Sequence, residues 1–325
     1  MSTFKQILFF MLTSSLIACS GSRQGLNEDV VSTSPVVTAG AGGSPELYHI
    51  AAGDQAHPTV SYDGSMLAYQ SNIDGNWEIY LQAVTGGTPI RLTDDTGSDE
   101  DPAFAPDGQK LLFTWSSPDL NGDGQRDIYM IDRDGDNRRV IVQSSADDWA
   151  PRYLSDGSGF IFLSDRGAAA DAAVERNRTL YHFSFIDDSI TPLAGSNTFT
   201  GAAGSINSDN WLLTTRDGWY RTNSLILQDT LQAPSQLLVQ AGVEPLPGSE
   251  SLAVCFGEAV QGERRIFLVN LISGSSSPLT EPALDARWPA VNPAGTLLYF
   301  CARENDPSAV FNLYSLPLTA GASGR

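Results

Sequence analysis

Basic residues are scarce in this chain: 19 Lys and Arg stand against 38 Asp and Glu, a net charge of −19 over 325 residues. Nucleic-acid binding needs a basic stripe to neutralise phosphates, and none is visible, so that class is set aside. Histidine is scarcer still. The three present, His49, His57 and His182, lie in separate parts of the chain, which argues against a His-rich metal centre. There is no Gly-x-Ser-x-Gly elbow and no Gly-rich phosphate loop ending in Lys, so serine-hydrolase and P-loop chemistry lack their motifs. Beyond the first residues, no apolar run reaches the ~20 residues of a membrane span. What is there suffices to fold. Hydrophobic residues make up 41% and aromatics 9%, enough for a core, and 30 Gly with 18 Pro suit many turns between short strands.

Lys5 precedes an apolar run over residues 7–12 and then Thr13-Ser14-Ser15. That is the order of a secretory signal. Leu16-Ile17-Ala18-Cys19 resembles the bacterial lipobox. The resemblance implies that residues 1–18 are a lipoprotein signal peptide and that Cys19 is lipidated. Ser20 follows where an Asp would signal inner-membrane retention, so the expected location is the outer membrane, anchored by lipid and facing the periplasm rather than the cell surface. Several acyl chains on one cysteine anchor stably where one would not. Residues 19–45, rich in Gly, Ser and Thr, read as a flexible linker of roughly 25–30 Å.

From residue 46 on, one pattern recurs. Pro58-Thr59-Val60-Ser61-Tyr62-Asp63-Gly64 leads into an apolar run, as do Pro102-Ala103-Phe104-Ala105-Pro106-Asp107-Gly108, Pro151-Arg152-Tyr153-Leu154-Ser155-Asp156-Gly157 and Pro289-Ala290-Val291-Asn292-Pro293-Ala294-Gly295. Two weaker copies centre on Asp209-Asn210 and Pro247-Gly248-Ser249. Asp-Gly between apolar runs predicts a tight hairpin, because Gly tolerates positive φ. A third strand is expected at Ile79-Tyr80-Leu81, Ile128-Tyr129-Met130, Leu180-Tyr181-His182, Leu225-Ile226-Leu227, Ile266-Phe267-Leu268 and Leu313-Tyr314-Ser315, and a short fourth strand after it. Four antiparallel strands in about 40–50 residues make a propeller blade. The last copy lacks its fourth strand, and Pro45-Glu46-Leu47-Tyr48-His49-Ile50 supplies one. The expectation is all-β: a six-bladed β-propeller over residues 46–325, closed by an N-terminal strand that completes the last blade and removes two sheet edges.

Ala105-Pro106-Asp107-Gly108, Ser61-Tyr62-Asp63-Gly64 and Leu154-Ser155-Asp156-Gly157 resemble the TolB-type (WD40-like) propeller repeat, over roughly residues 46–318. The resemblance implies the fold and a cell-envelope binding module; it does not carry over partner residues. The chain departs from TolB itself, whose α/β domain precedes the propeller where a tether stands here.

Loops joining one blade to the next share a face with loops between second and third strands. The former hold Asp54, Asp99, Glu100, Asp101, Asp147, Asp148, Glu244, Glu281 and Asp285, adjoined by His57, Trp149, Arg152, Arg287 and Trp288, and this acidic face is the candidate surface for an envelope protein or a cationic, basic ligand. The leading expectation is a non-catalytic binding or scaffold protein. The alternative is a metal-dependent hydrolase or lyase acting on a saccharide or lactone at the channel mouth; clustering of Asp99, Asp101, Asp148 and His57 around one ion would favour it, and dispersed acids would favour the binder. Cys255 and Cys301 are expected to be free and buried, at one register of adjacent blades and pointing the same way. Finally, Asp119, Asn121, Asp123, Gln125 and Asp127 match the first nine positions of an EF-hand-like calcium loop, with Gly124 at the sixth; Met130 stands where the bidentate Glu belongs. Calorimetric titration with Ca²⁺ is expected to give binding heat that Asp123→Ala abolishes. Absence of heat from the unsubstituted chain would remove the site.

Overall fold

In the computed structural model, the described residues are 36–38, 43–118, 126–166, 179–193, 199–201, 205–207, 210–215, 219–223, 226–231, 237–249, 251–259 and 262–321. All lie in one compact unit, Ser34–Arg325. Cys19, the signal peptide and most of the linker fall outside them, as do Asp119, Asn121, Asp123 and Gln125.

The described residues form an all-β propeller. Five sheets are four-stranded and antiparallel; in four of them the strands follow one another in chain order from the channel outwards. Blade 1 is Gln55–Val60, Met66–Ser71, Glu78–Ala83 and Ile90–Arg91; blade 2 is Ser98–Phe104, Lys110–Ser116, Arg126–Asp132 and Arg139–Val142; blade 3 is Asp148–Tyr153, Gly159–Ser164, Thr179–Ser184 and Ile190–Pro192. Blade 4 is Leu237–Pro245, Leu252–Ala259, Arg264–Asn270 and Ser276–Pro278. Blade 5 is Leu284–Val291, Leu297–Glu304 and Asn312–Pro317, with Glu46–His49 as its outer strand. A two-stranded ribbon joins Val36–Thr38 to Thr319–Gly321.

The count of six blades is corrected to five. Between blades 3 and 4 the chain builds a five-stranded sheet of another design, in which Phe199–Gly201 and Ser205–Asn207 both pair with Asn210–Thr215. Leu225-Ile226-Leu227 is not its third strand. Trp219–Asn223 takes that place, and Ile226–Leu231 lies outside it. The segment has no Pro, and its Asp217-Gly218 falls between Asn210–Thr215 and Trp219–Asn223, one hairpin later than the Asp-Gly pairs of blades 1 to 3, so the repeat could not be phased there.

The hairpins of blades 1 to 3 carry four-residue loops, two residues longer than the tight turn expected. In blade 1 Ser61 N–H donates to Met66 O at 2.9 Å and Gly64 N–H to Ser61 O at 2.8 Å. Asp63 is the hub: Oδ1 accepts from Ser61 Oγ at 2.6 Å and from Ser65 N at 2.9 Å, and these bonds hold its carboxyl down at about 2. Gly64, at φ 71°, closes the turn in the left-handed region.

The core lies between sheets. Leu81, Phe104 and Phe113 pack blade 1 on blade 2; Met130, Tyr153 and Phe162 pack blade 2 on blade 3. Trp211 of the five-stranded sheet meets Ile161 and Leu163 of blade 3, while Leu212 meets blade 4. Phe256 and Phe300 join blades 4 and 5, and Tyr69 with Phe311 joins blade 5 to blade 1. Cys255 and Cys301 are free and fully buried, and burial pushes the Cys255 thiol up to about 12. They do not point the same way. Blade 4 carries one extra residue in its first hairpin, Leu246 to Leu252 against Asn292 to Leu297 in blade 5. The side-chain period is two, so one residue exchanges the faces: Cys255 packs with Leu212, Cys301 with Tyr69.

The closing strand is tied down by Tyr48. Its OH donates to Ala83 O at 2.8 Å and Val84 O at 3.0 Å in blade 1, and its ring meets Tyr299 edge-on at 5.5 Å. Tyr48→Ala is expected to cost about 2–3 kcal/mol in denaturant unfolding, less than a fully buried ring, and Tyr48→Phe about 1 kcal/mol. A Tyr48→Ala change within ~0.5 kcal/mol of zero, the usual effect of a surface substitution, would show that this strand does not latch the sheet.

Candidate functional site

The inner strands of blades 1, 2, 3 and 5 break their ladders at one place: between Ala56 and Thr59, Glu100 and Ala103, Trp149 and Arg152, and Arg287 and Ala290. A proline stands in each break, where its missing N–H cannot serve the ladder. The residue before it is left-handed: His57 at φ 49°, Asp101 at 54°, Ala150 at 52° and Trp288 at 52°. Such a residue costs about 1–3 kcal/mol and needs support. Asp101 N–H donates to Gln70 Oε1 of blade 1 at 2.9 Å, and Ala150 N–H to Thr114 Oγ1 of blade 2 at 3.1 Å.

The bulges bring three blades together at the channel mouth. His57 Nδ1 lies 2.7 Å from Asp101 Oδ1, and the His57 ring sits 5.1 Å from that of Trp288. Trp288 in turn packs on Phe311 at 5.2 Å. Burial pushes the Asp101 carboxyl up, but His57, Arg152 and Arg126 outweigh it and hold it at about 2. Beside it, burial and then Asp101 raise Glu100, against His57, Arg126 and a hydrogen bond from Gln70.

The other acids of this face are engaged separately. Asp99, fully buried, takes Arg138 Nη2 at 3.1 Å; Arg138 also reaches Asp95 and lies over Tyr129 at 4.8 Å and Phe113 at 5.4 Å. Burial still pushes Asp99 up to about 7. Asp148, also fully buried, takes Arg166 Nη2 at 2.5 Å, and Arg166 lies over Tyr181 at 5.3 Å. Asp285 is held by Arg287 through Nε at 2.8 Å and Nη2 at 2.7 Å. Asp54 accepts from Phe311 N at 2.9 Å. Asp147 accepts from Arg126 N at 3.1 Å, and the Arg126 guanidinium lies over Trp149 at 5.0 Å. Asp127 of the calcium-loop motif is buried, within 3.4 Å of Ser144 N and Gln143 Nε2. Among the described residues, no three His, Cys, Asp or Glu side chains stand close enough to share a metal ion.

Glu244 is not at the mouth. Counting from the hairpins, it is level with Thr59, Ala103, Arg152 and Ala290, and these five line a channel cavity of about 350 Å³ towards the hairpin turns, with Tyr62 and Trp211. Gln70, Thr114, Arg126, Arg138 and Arg166 were not anticipated. The x-Pro step common to four repeats was the available signal for the bulge; nothing local marks the residues that support it.

Residues 57–177 match the family described as the TolB beta propeller domain. That segment, which runs from the inner strand of blade 1 to the second strand of blade 3, is similar to the TolB propeller domain. An uncharacterised protein of Agrobacterium fabrum is 26% identical over 156 residues, 46% of this chain and 49% of its own length. A TolB homolog of Chlorobium luteolum is 28% identical over 140 residues, 32% of each chain. The chain thus spans half or less of these curated relatives. Among solved structures, a gluconolactonase from Xanthomonas campestris superposes with a TM-score of 0.60, covering 88% of this chain and 94% of that one at 14% identity; this shows shared fold alone.

Arg138 tests how the propeller carries its buried acids. Arg138→Ala strands Asp99 without a counter-ion and is expected to cost about 3–5 kcal/mol at pH 8, whereas Asp99→Asn, which removes the buried charge, costs less. Denaturant unfolding of both variants checks the order. The reverse order would contradict it.

Proposed function

We propose that this chain is a non-catalytic cell-envelope binding protein, held at the outer membrane through Cys19, whose propeller takes a basic segment of an envelope protein at the channel mouth. The observation that carries the reading is the dispersal of the acids. Asp99, Asp148 and Asp285 each close on an arginine of their own blade, and Asp101 on His57, so they do not converge as a metal-dependent hydrolase or lyase would require. What they frame is a rigid wall in which Glu100, Trp149 and Trp288 stay partly exposed. Aromatics with a few charges are what interfaces use as anchors, and the net charge of −19 steers a basic partner inward. The match over residues 57–177 to the TolB propeller family supports an envelope setting. Calcium is proposed for the loop 119–127, where it would brace the same face.

Two measurements test this. Cys19→Ser is expected to move the chain from the membrane to the soluble periplasmic fraction; a chain still sedimenting with membranes would remove the lipid anchor. Affinity capture from envelope extracts with the mature, lipid-free domain is expected to recover a basic protein, less of it as salt rises and at least about tenfold less with Glu100→Lys. Undiminished capture by that variant would overturn the mouth as the binding surface.

A further inference from the structure

Glu244 is the one inner-strand acid in this region that closes on nothing: among the described residues its carboxylate has no hydrogen-bond or ion-pair partner, although it lines the 350 Å³ cavity. We propose that the hairpin-turn end of the channel binds a single primary ammonium group carried on an apolar body, with Glu244 as its counter-ion.

The walls define the rest of the ligand. Tyr62, Phe104, Tyr153 and Trp211 contribute aromatic surface, and Pro58, Pro245, Pro247 and Pro293 contribute rigid apolar surface. That lining buries a hydrocarbon or aromatic body, and the volume is at the lower end of small-molecule sites. An ammonium beside Glu244 also gains from a neighbouring aromatic face such as that of Tyr62. Arg152 stands in the same ring of residues. It disfavours a second positive charge, and it does not neutralise Glu244: burial pushes that carboxyl up to about 7 against the pull of Arg152. An arriving ammonium therefore displaces a proton from Glu244 when the pH is below 7. The same chemistry comes from a free amine or from a lysine side chain reaching in from a partner. The site rests on the proposed function only for the sign of its ligand, since the mouth and this cavity are different parts of the channel.

The test is calorimetry on the lipid-free domain with phenethylamine, with phenethyl alcohol as its neutral counterpart, and with the capped tripeptide Gly-Lys-Gly, at pH 6 and pH 8. Both amines keep their charge across this range. For a carboxyl near 7, the affinity of a binding amine is expected to be about tenfold higher at pH 8 than at pH 6. Glu244→Gln is expected to weaken binding at least tenfold at pH 8 and to flatten the pH dependence, with its thermal transition retained as the check on folding. Binding by phenethylamine assigns a free amine, and binding by the tripeptide alone assigns a lysine side chain. No amine binding, equal affinity at both pH values, or an unaltered Glu244→Gln variant would each overturn the site. Glu100→Lys separates the two claims: it leaves amine binding in place while partner capture falls.

Discussion

The channel of this propeller depends on a backbone constraint, the left-handed residue that precedes proline in four inner strands. Proline cannot donate to the ladder, so the strand bulges there, and a bulge re-aims side chains. His57, Asp101 and Trp288 meet because their strands bulge at one level. The strain is borne across blade boundaries, by Gln70 on the Asp101 amide and Thr114 on the Ala150 amide. Blade 5 has Cys301 at the register of Gln70 and Thr114, and there the ring contact between His57 and Trp288 makes the junction instead. Site geometry and blade packing are therefore one problem, solved at the same residues.

Electrostatics follow from this frame. An acidic protein would destabilise itself if its carboxylates crowded one rim. Here the deepest acids carry their own arginines, each spread over an aromatic ladder: Arg138 on Tyr129 and Phe113, Arg166 on Tyr181 and Phe162. Asp99, Asp148 and Asp285 are neutralised within their own blades and Asp101 by His57 of the neighbouring one, which leaves Glu100 at the mouth and Glu244 in the channel as the acids able to respond to a ligand.

The repeat was readable where Pro and Asp-Gly occur together, because both act on the chain locally: one forbids a ladder bond, the other forms a turn. That sufficed for blades 1 to 3; in blade 5, Pro289 with Ala294-Gly295 kept enough of the pattern, and Glu46–His49 was readable as the strand beside Asn312–Pro317. It failed where no proline accompanies the Asp-Gly, at Asp217-Gly218. The copy centred on Asp209-Asn210, with a third strand expected at 225–227, belongs to a five-stranded sheet over 199–231 instead of one more blade. One extra turn residue in blade 4 reversed the facing of Cys255. The site was less legible. Residue types at the inner strands could be named from spacing, but whether Asp99 meets solvent or Arg138 is decided by a residue 39 positions away, which no local pattern encodes.

Native-state hydrogen exchange of the Asp101 and Ala150 amides, in the unsubstituted domain and in Gln70→Ala, tests the central claim most directly. If neighbouring blades hold the bulges, both amides are protected, and Gln70→Ala releases Asp101 while Ala150 stays slow. Rapid exchange of both amides in the unsubstituted domain, or an Asp101 amide indifferent to the loss of Gln70, would contradict it.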